Sequence, residues 1–277
     1  MVYSEGWMQL PSIKVFYRTW KSDNQKGVVC GIHGFAEDSS RYSRLGRFLS
    51  ENGFSLFMYD LRGHGKTAFN TKDFGYVKSF DFFVHDTRDF ISEVVRRTAV
   101  KDIILFGHSL GGLITLHYLA RVKDYVSFGI TSGAATITSS SLFQKYLLLM
   151  LNKVAPRTRV KLPIKAEDLT HDKMVYSKYL SDNMLIRNPT VRLLYDVYAG
   201  SKEIWKYLPQ IDAPMLMMHG ELDRVVHKEA TEKAFGLISS RDKQLAIYKG
   251  LYHEILNEEN NQTVYYDLIK WLSNRIK

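Results

Sequence analysis

KDIILFGHSLGGLITLHYLA, residues 101–120, is the segment that decides the fold. Its apolar start, residues 102–106, predicts a buried parallel strand, and residues 110–120 are apolar on nearly every side, as in a helix buried against a sheet. The glycines of Gly107-His108-Ser109-Leu110-Gly111 separate the two. A strand that turns into a helix within about one residue strains that residue and requires small neighbours. We therefore predict a nucleophile elbow, with Ser109 projecting above the sheet beside the free N–H groups of the helix.

Apolar strand-like segments alternate with helical ones on both sides of this elbow. Such alternation favours an α/β fold with a doubly wound, mostly parallel sheet. Further strands are expected at residues 13–20, 28–33, 54–60, 125–131, 214–220 and 244–248. Helices are expected at residues 41–52, 80–97, 228–238 and 261–276.

This alternation stops after Gly133. Residues 134–205 contain no strand-like run and carry more lysine and arginine than aspartate and glutamate. We interpret this segment as an inserted helical cap, which divides the core of the fold into residues 1–133 and 206–277.

The composition excludes several classes of protein. The chain has 277 residues, 45% of them hydrophobic, and a net charge of +9, which fits a soluble globular protein with a sizeable core. Its basic residues are scattered, without zinc-finger spacing or an RNA-binding aromatic strand, so nucleic acid is not an expected partner. A single cysteine, no evident signal peptide and no apolar run near the ~20 residues that span a bilayer favour a cytoplasmic location. Peripheral membrane contact is left open.

A catalytic serine needs a base to take its proton, and the base needs a third group to fix its tautomer. In doubly wound sheets these groups lie beyond the carboxyl ends of the strands. Asp223 follows the next-to-last predicted strand, and His253 follows the last one. The order Ser109, Asp223, His253 is the order expected for an elbow of this kind.

Other acids and histidines are weaker candidates. Glu221 lies closer to its strand and Asp212 lies before it. Three histidines near the elbow in sequence do not follow the last strand: His33, His64 and His108. No spacing of histidine and acidic residues indicates a metal site, and no cofactor is expected.

Attack on a carbonyl creates an oxyanion, and removing one N–H donor from its site costs about 3 kcal/mol. The N–H of Leu110, directly after the serine, is one predicted donor. Phe35, in the loop His33-Gly34-Phe35 after an early strand, is the other.

Five segments carry a resemblance to a known family: HGFAEDSSRY, DLRGHGKT, GHSLGG, GELDRVV and YHEILNE. In order and approximate spacing they resemble the α/β-hydrolases of the monoacylglycerol lipase and lysophospholipase group, over the whole chain except much of the cap. The resemblance implies the α/β-hydrolase fold, the same triad, and the same oxyanion hole. Phe35 is bulkier than the small residue common in that family.

The resemblance also implies a cap that covers an acyl tunnel, and a polar leaving-group pocket to which Glu37 and Arg41 contribute. It favours a serine esterase that cleaves monoacyl lipids through an acyl-enzyme on Ser109. A lysophospholipase, a general carboxylesterase and a non-catalytic ligand receptor of the same fold remain alternatives.

The cap contains a possible membrane-binding segment. Residues 142–151 place many large apolar side chains within about three helical turns, and a basic run follows at Arg157, Arg159, Lys161 and Lys165. We expect reversible contact with anionic membranes. The alternative is that the apolar residues line the acyl tunnel or pack on the core while the charges are simply solvated.

Overall fold

The computed structural model of the protein describes residues 1–137, 142–161 and 165–276, without the side chains of residues 142–146 and 166. Eight strands of these ranges form one sheet. In chain order they are β1 Val2–Gln9, β2 Lys14–Lys21, β3 Gly27–Ile32, β4 Phe54–Tyr59, β5 Ile103–His108, β6 Val126–Ser132, β7 Met215–Gly220 and β8 Lys243–Tyr248.

The spatial order of the strands is β1-β2-β4-β3-β5-β6-β7-β8. β1 pairs antiparallel with β2, β2 pairs antiparallel with β4, and all pairings from β4 to β8 are parallel. The predicted doubly wound, mostly parallel sheet is therefore confirmed. β1 was not predicted, because its polar residues on both faces leave no alternation of apolar and polar positions at this exposed sheet edge.

Helices cover both faces of the sheet. Their ranges are α1 Ser43–Glu51, α2 Gly65–Ala68, α3 Asp81–Thr98, α4 Leu110–Arg121, α5 Leu142–Val154, α6 Lys173–Ser181, α7 Val191–Glu203, α8 Lys228–Leu237 and α9 Gln262–Ser273. In α4 every residue from Leu110 to Ala120 is buried, as the sequence predicts. The helix predicted at 41–52 begins instead with a 3-10 turn, Ser39–Tyr42, because the Asp38 carboxylate accepts the N–H of Ser40 and caps that turn.

The described residues between β6 and β7 form α5, α6, α7 and short 3-10 turns. Apart from one isolated bridge between Arg159 and Thr190, they contain no strand within the described ranges. Residues 138–141 and 162–164 of the predicted cap lie outside the described residues. The cap boundaries at 134 and 205 stay a prediction.

Arg159 fastens one side of this segment to the loop after α2. Its guanidinium donates to the carbonyl of Phe74 at 2.8 Å, and both the N–H and the hydroxyl of Thr190 donate to the carbonyl of Gly75. Arg157 lies beside them, 3.8 Å over the ring of Tyr76. We call these contacts the Arg159 clasp.

Glu258 fastens the other side. Its buried carboxylate accepts the N–H of Tyr252 at 2.7 Å, and the N–H and ring Nδ1–H of His171 at 2.8 and 3.0 Å. The carbonyl of Leu169 accepts the N–H of Glu254 at 2.8 Å. These contacts, the Glu258 clasp, join residues 169–171 to the loop after β8.

Within the described ranges, no helix is both long and apolar enough to cross a bilayer.

Candidate active site

Ser109 lies at the junction of β5 and α4 with φ 52° and ψ −113°, a backbone conformation that is strained for a residue with a side chain. Two glycines make this turn possible. A Cβ on Gly107 would collide with the carbonyl of Gly111, and a Cβ on Gly111 would collide with the carbonyl of Ile32. Any larger residue at either position would push α4 away from the sheet. The two glycines therefore allow Ser109 to lie directly at the end of the strand.

Asp223 and His253 lie together in the loops after β7 and β8. Nδ1 of His253 is 2.6 Å from Oδ2 of Asp223, and both side chains are buried. The other oxygen of Asp223 accepts the backbone N–H groups of Val225 and Val226 at 2.8 and 2.9 Å. The His253 ring packs against the ring of His108, the residue before Ser109, at a centroid distance of 4.8 Å. Asp223 and His253 are thus in contact, and the His108 ring brings His253 close to the strand end that carries Ser109. The catalytic roles of the three residues stay a prediction.

The charges in this site stabilise the protonated form of His253. Burial acts to raise the pKa of Asp223, but the charge of His253 and hydrogen bonds from two histidines outweigh it and hold the pKa well below its usual range. Burial acts to lower the pKa of His253, but the charge and hydrogen bond of Asp223 outweigh it and the net shift is upward. Burial, followed by the charge of His253, lowers the pKa of His108 to about 3. His253 can therefore accept a proton, while His108 stays neutral.

The predicted oxyanion donors lie on two elements beside Ser109. Leu110 is the first residue of α4, so its N–H has no carbonyl partner in its own helix. A Cβ on Gly34 would lie 3.3 Å from the Cβ of Ser109, which brings the loop containing Phe35 next to the serine. The N–H of Gly34 donates to Oε1 of Glu37 at 2.5 Å, and this bond fixes the loop.

Glu37 and Arg41 form a buried ion network with a residue that the sequence did not indicate. Nε of Arg41 is 2.7 Å from Oε2 of Glu37, and its Nη2 is 2.6 Å from both carboxylate oxygens of Glu254. Burial acts to raise the pKa of Glu37, but the charge of Arg41 outweighs it and lowers that pKa to about 2. A small cavity lies among these three side chains, His108 and Asn257, and Tyr42, Leu45 and Leu256 complete its lining. Glu254 belongs to the segment YHEILNE, but the sequence does not show that its partner is Arg41. Only the contacts in the folded structure show that.

The weaker candidates have other partners. Glu221 accepts the backbone N–H of Gly250 at 3.1 Å, and Asp212 forms an exposed ion pair with Lys123. Both ring nitrogens of His33 are bonded to backbone groups of neighbouring loops. In this structure the contact with Nδ1 of His253 is made by Asp223 and by none of these three residues. Among the described residues, no group of three or more histidine, cysteine or acidic side chains is arranged to hold a metal ion.

A family model described as serine aminopeptidase, S33, matches residues 23–260. Monoacylglycerol lipase from Mycolicibacterium smegmatis is 27% identical over 267 residues, which cover 94% of this chain and 93% of that protein. Phospholipase YtpA from Bacillus subtilis is 28% identical over 254 residues, which cover 89% and 95% of the two chains.

The solved structures include a soluble variant of monoglyceride lipase from Saccharomyces cerevisiae, in complex with a substrate analogue. It matches with a TM-score of 0.91 and 27% identity, covering 100% of this chain and 97% of that one. The predicted α/β-hydrolase fold is thereby confirmed. With most of its length matched by the family model, the chain belongs to the serine aminopeptidase S33 family of α/β-hydrolases.

Proposed function

We propose that the protein is a serine hydrolase that cleaves the carboxylic ester of monoacyl lipids through an acyl-enzyme on Ser109. The observation that carries the proposal is the buried 2.6 Å contact between His253 and Asp223, formed beside a serine with a strained backbone. A nucleophile held at a sharp turn, together with a base fixed by a carboxylate, is what acyl transfer requires.

The proposed reaction has two halves. His253 takes the proton of the Ser109 hydroxyl as Oγ attacks the ester carbonyl carbon, and the N–H groups of Phe35 and Leu110 stabilise the oxyanion. His253 then gives its proton to the alcohol oxygen as the C–O bond breaks, and the acyl group stays on Ser109. A water molecule gives a proton to His253 as it attacks the acyl carbon. His253 then returns that proton to Oγ of Ser109 as the acyl–oxygen bond breaks, which releases the fatty acid and restores the serine.

The names of the relatives support a lipid ester as substrate. Two of the three similar proteins described above are named lipases of monoacylglycerol, whereas the family description names an aminopeptidase. The ion network also favours a polyol leaving group. Among the described residues, Nη1 of Arg41 donates to no protein acceptor, so its hydrogens can bind a hydroxyl beside the small cavity.

A lysophospholipase is the second candidate, because the relative from Bacillus subtilis is named a phospholipase. Both candidates share the acyl half of the reaction and differ in the leaving group. The same assay therefore tests both.

A fluorophosphonate probe tests the nucleophile. The protein should be labelled, and Ser109→Ala should abolish labelling and reduce ester hydrolysis about a thousand-fold or more while the thermal unfolding curve is retained. A substrate panel then identifies the class: monoolein, lysophosphatidylcholine, p-nitrophenyl esters graded by acyl length, and an aminoacyl amide. Faster cleavage of the amide than of every ester would contradict the proposal. If the protein is not labelled and cleaves none of these substrates but still binds lipid, the result would favour a non-catalytic ligand receptor of the same fold.

We also propose that the cap contacts anionic membranes. The described end of α5 exposes Leu147, Met150 and Val154, which are spaced three and four residues apart and share one helix face. Lys161 is exposed beyond it. The side chains of residues 142–146 lie outside the described part of the structure, so the proposal depends on the second half of α5. An apolar face beside cations fits the boundary between acyl chains and anionic head groups.

A further inference from the structure

His219, a buried residue of β7, lies beside the proposed triad acid, at the same carboxylate oxygen that His253 contacts. Its Nε2 lies 3.0 Å from Oδ2 of Asp223 and 2.8 Å from the carbonyl oxygen of Val226. Its Nδ1 lies 2.7 Å from the hydroxyl of Thr231 in α8. Every polar atom of this ring therefore has a partner, and the ring is fully buried.

These partners fix where the proton of the ring lies. Two oxygen atoms that cannot donate, on Asp223 and Val226, face Nε2, so Nε2 carries a hydrogen in either charge state of the ring. The Thr231 hydroxyl can donate to Nδ1 or accept from it. The Nε2–H is therefore directed at the turn formed by residues 223–226, and its positive end lies beside the same carboxylate oxygen that His253 contacts.

We propose that His219 is a positioning residue for the base: it shares Oδ2 of Asp223 with His253 and so sets how strongly Asp223 stabilises the protonated base. The inference rests on the triad of the proposed function. An N–H beside the carboxylate offsets part of its negative charge. Without His219, the full charge of Asp223 acts on His253, and the protonated form of His253 becomes more stable.

Other groups also face His253 and remain in place when His219 is changed. They are the acidic residues Glu254 and Glu37, and the stacked ring of His108. Because these are constant, a change in the protonation of His253 can be assigned to the contact between His219 and Asp223.

The experiment measures the titration of His253 by NMR in histidine-labelled protein, with His253→Gln to assign its signals, and the acid limb of kcat/KM. In His219→Leu we expect the His253 titration to move upward by on the order of half to one pH unit. His219→Gln keeps an N–H near the position of Nε2 and should restore the wild-type value. His227→Leu, an exposed histidine at the start of α8, is the matched control and should leave the titration unchanged.

If His219→Leu does not fold, Thr231→Val removes only the hydroxyl that orients the ring and should move the titration in the same direction by a smaller amount. A folded variant with lower kcat and an unchanged His253 titration would show that His219 serves packing alone, and would overturn the inference. The NMR titration does not depend on turnover. A shifted titration in a protein that hydrolyses none of the esters would therefore contradict the proposed function, while it would still show that His219 controls how strongly Asp223 stabilises protonated His253.

Discussion

Arg41 contacts both carboxylate oxygens of Glu254 at 2.6 Å, across 213 residues of sequence. Glu254 directly follows His253, and Arg41 is bound on its other side by Glu37. Because Glu37 also accepts the N–H of Gly34, one buried ion network connects the loop that contains His253 to the loop of the proposed oxyanion hole. A change at the leaving-group pocket should therefore also be detectable at the reaction centre.

We expect Arg41→Ala to reduce hydrolysis of monoolein at least about ten-fold more than hydrolysis of p-nitrophenyl butyrate, because only the glycerol leaving group offers hydroxyls to the guanidinium. Some loss on both substrates is expected, since Glu37 and Glu254 are left buried without their partner. Steady-state kinetics on the two esters measure the difference. Arg47→Ala, on the exposed side of α1, is the control. Equal losses on both esters would assign Arg41 to structure alone.

The pH dependence of kcat/KM follows from the upward shift of the His253 pKa. Only the neutral ring can act as base, so activity should rise with pH and level off above the ordinary histidine pKa of about 6.5. Asp223→Asn removes the charge that stabilises the protonated ring, so the midpoint should move to lower pH while kcat falls roughly a thousand-fold or more. Glu221→Gln is the matched control. A larger loss in Glu221→Gln than in Asp223→Asn would show that Glu221 is the triad acid.

The Glu258 clasp should contribute to the stability of the folded protein. Glu258→Ala leaves the N–H groups of Tyr252 and His171 without their buried acceptor, and we expect the free energy of unfolding to fall by about 3 kcal/mol. Urea unfolding, followed together with kcat, measures this loss. Glu259→Gln, a change at the exposed residue that follows Glu258, is the control. It should change neither the free energy of unfolding nor kcat. Unchanged stability in Glu258→Ala would mean that water replaces the carboxylate.

Membrane contact can be tested by vesicle sedimentation with and without anionic lipid, at low and high salt. Lys161→Glu with Lys165→Glu should abolish the anionic-lipid dependence, at about 1 kcal/mol per charge near the surface. Lys101→Glu with Lys270→Glu makes the same charge change on exposed residues outside the cap. Arg157 and Arg159 are unsuitable for this test because both contact the loop at 73–76. Binding that ignores lipid charge would leave the cap as a cover for the site.

The sheet and the elbow could be predicted because their signals are local. The apolar strands and the glycines around Ser109 act within a few residues, and the loops that contain Asp223 and His253 follow from strand order. The roles of Glu254, Glu258 and His219 could not be predicted, because each depends on contacts between segments that are distant in sequence. An isolated acidic residue or histidine gives no sign of its partner.

The strand order has a consequence for how the protein is made. After β5, each new strand joins the sheet beside the strand synthesised just before it, so the growing edge follows the order of translation. Ser109 is therefore in place long before its partners exist. His253 and Glu258 emerge after all eight strands, and they bring both the proposed base and the contacts that hold the 169–171 segment. A nascent chain should therefore stay unreactive toward esters until His253 has left the ribosome, although Ser109 and its elbow are already formed.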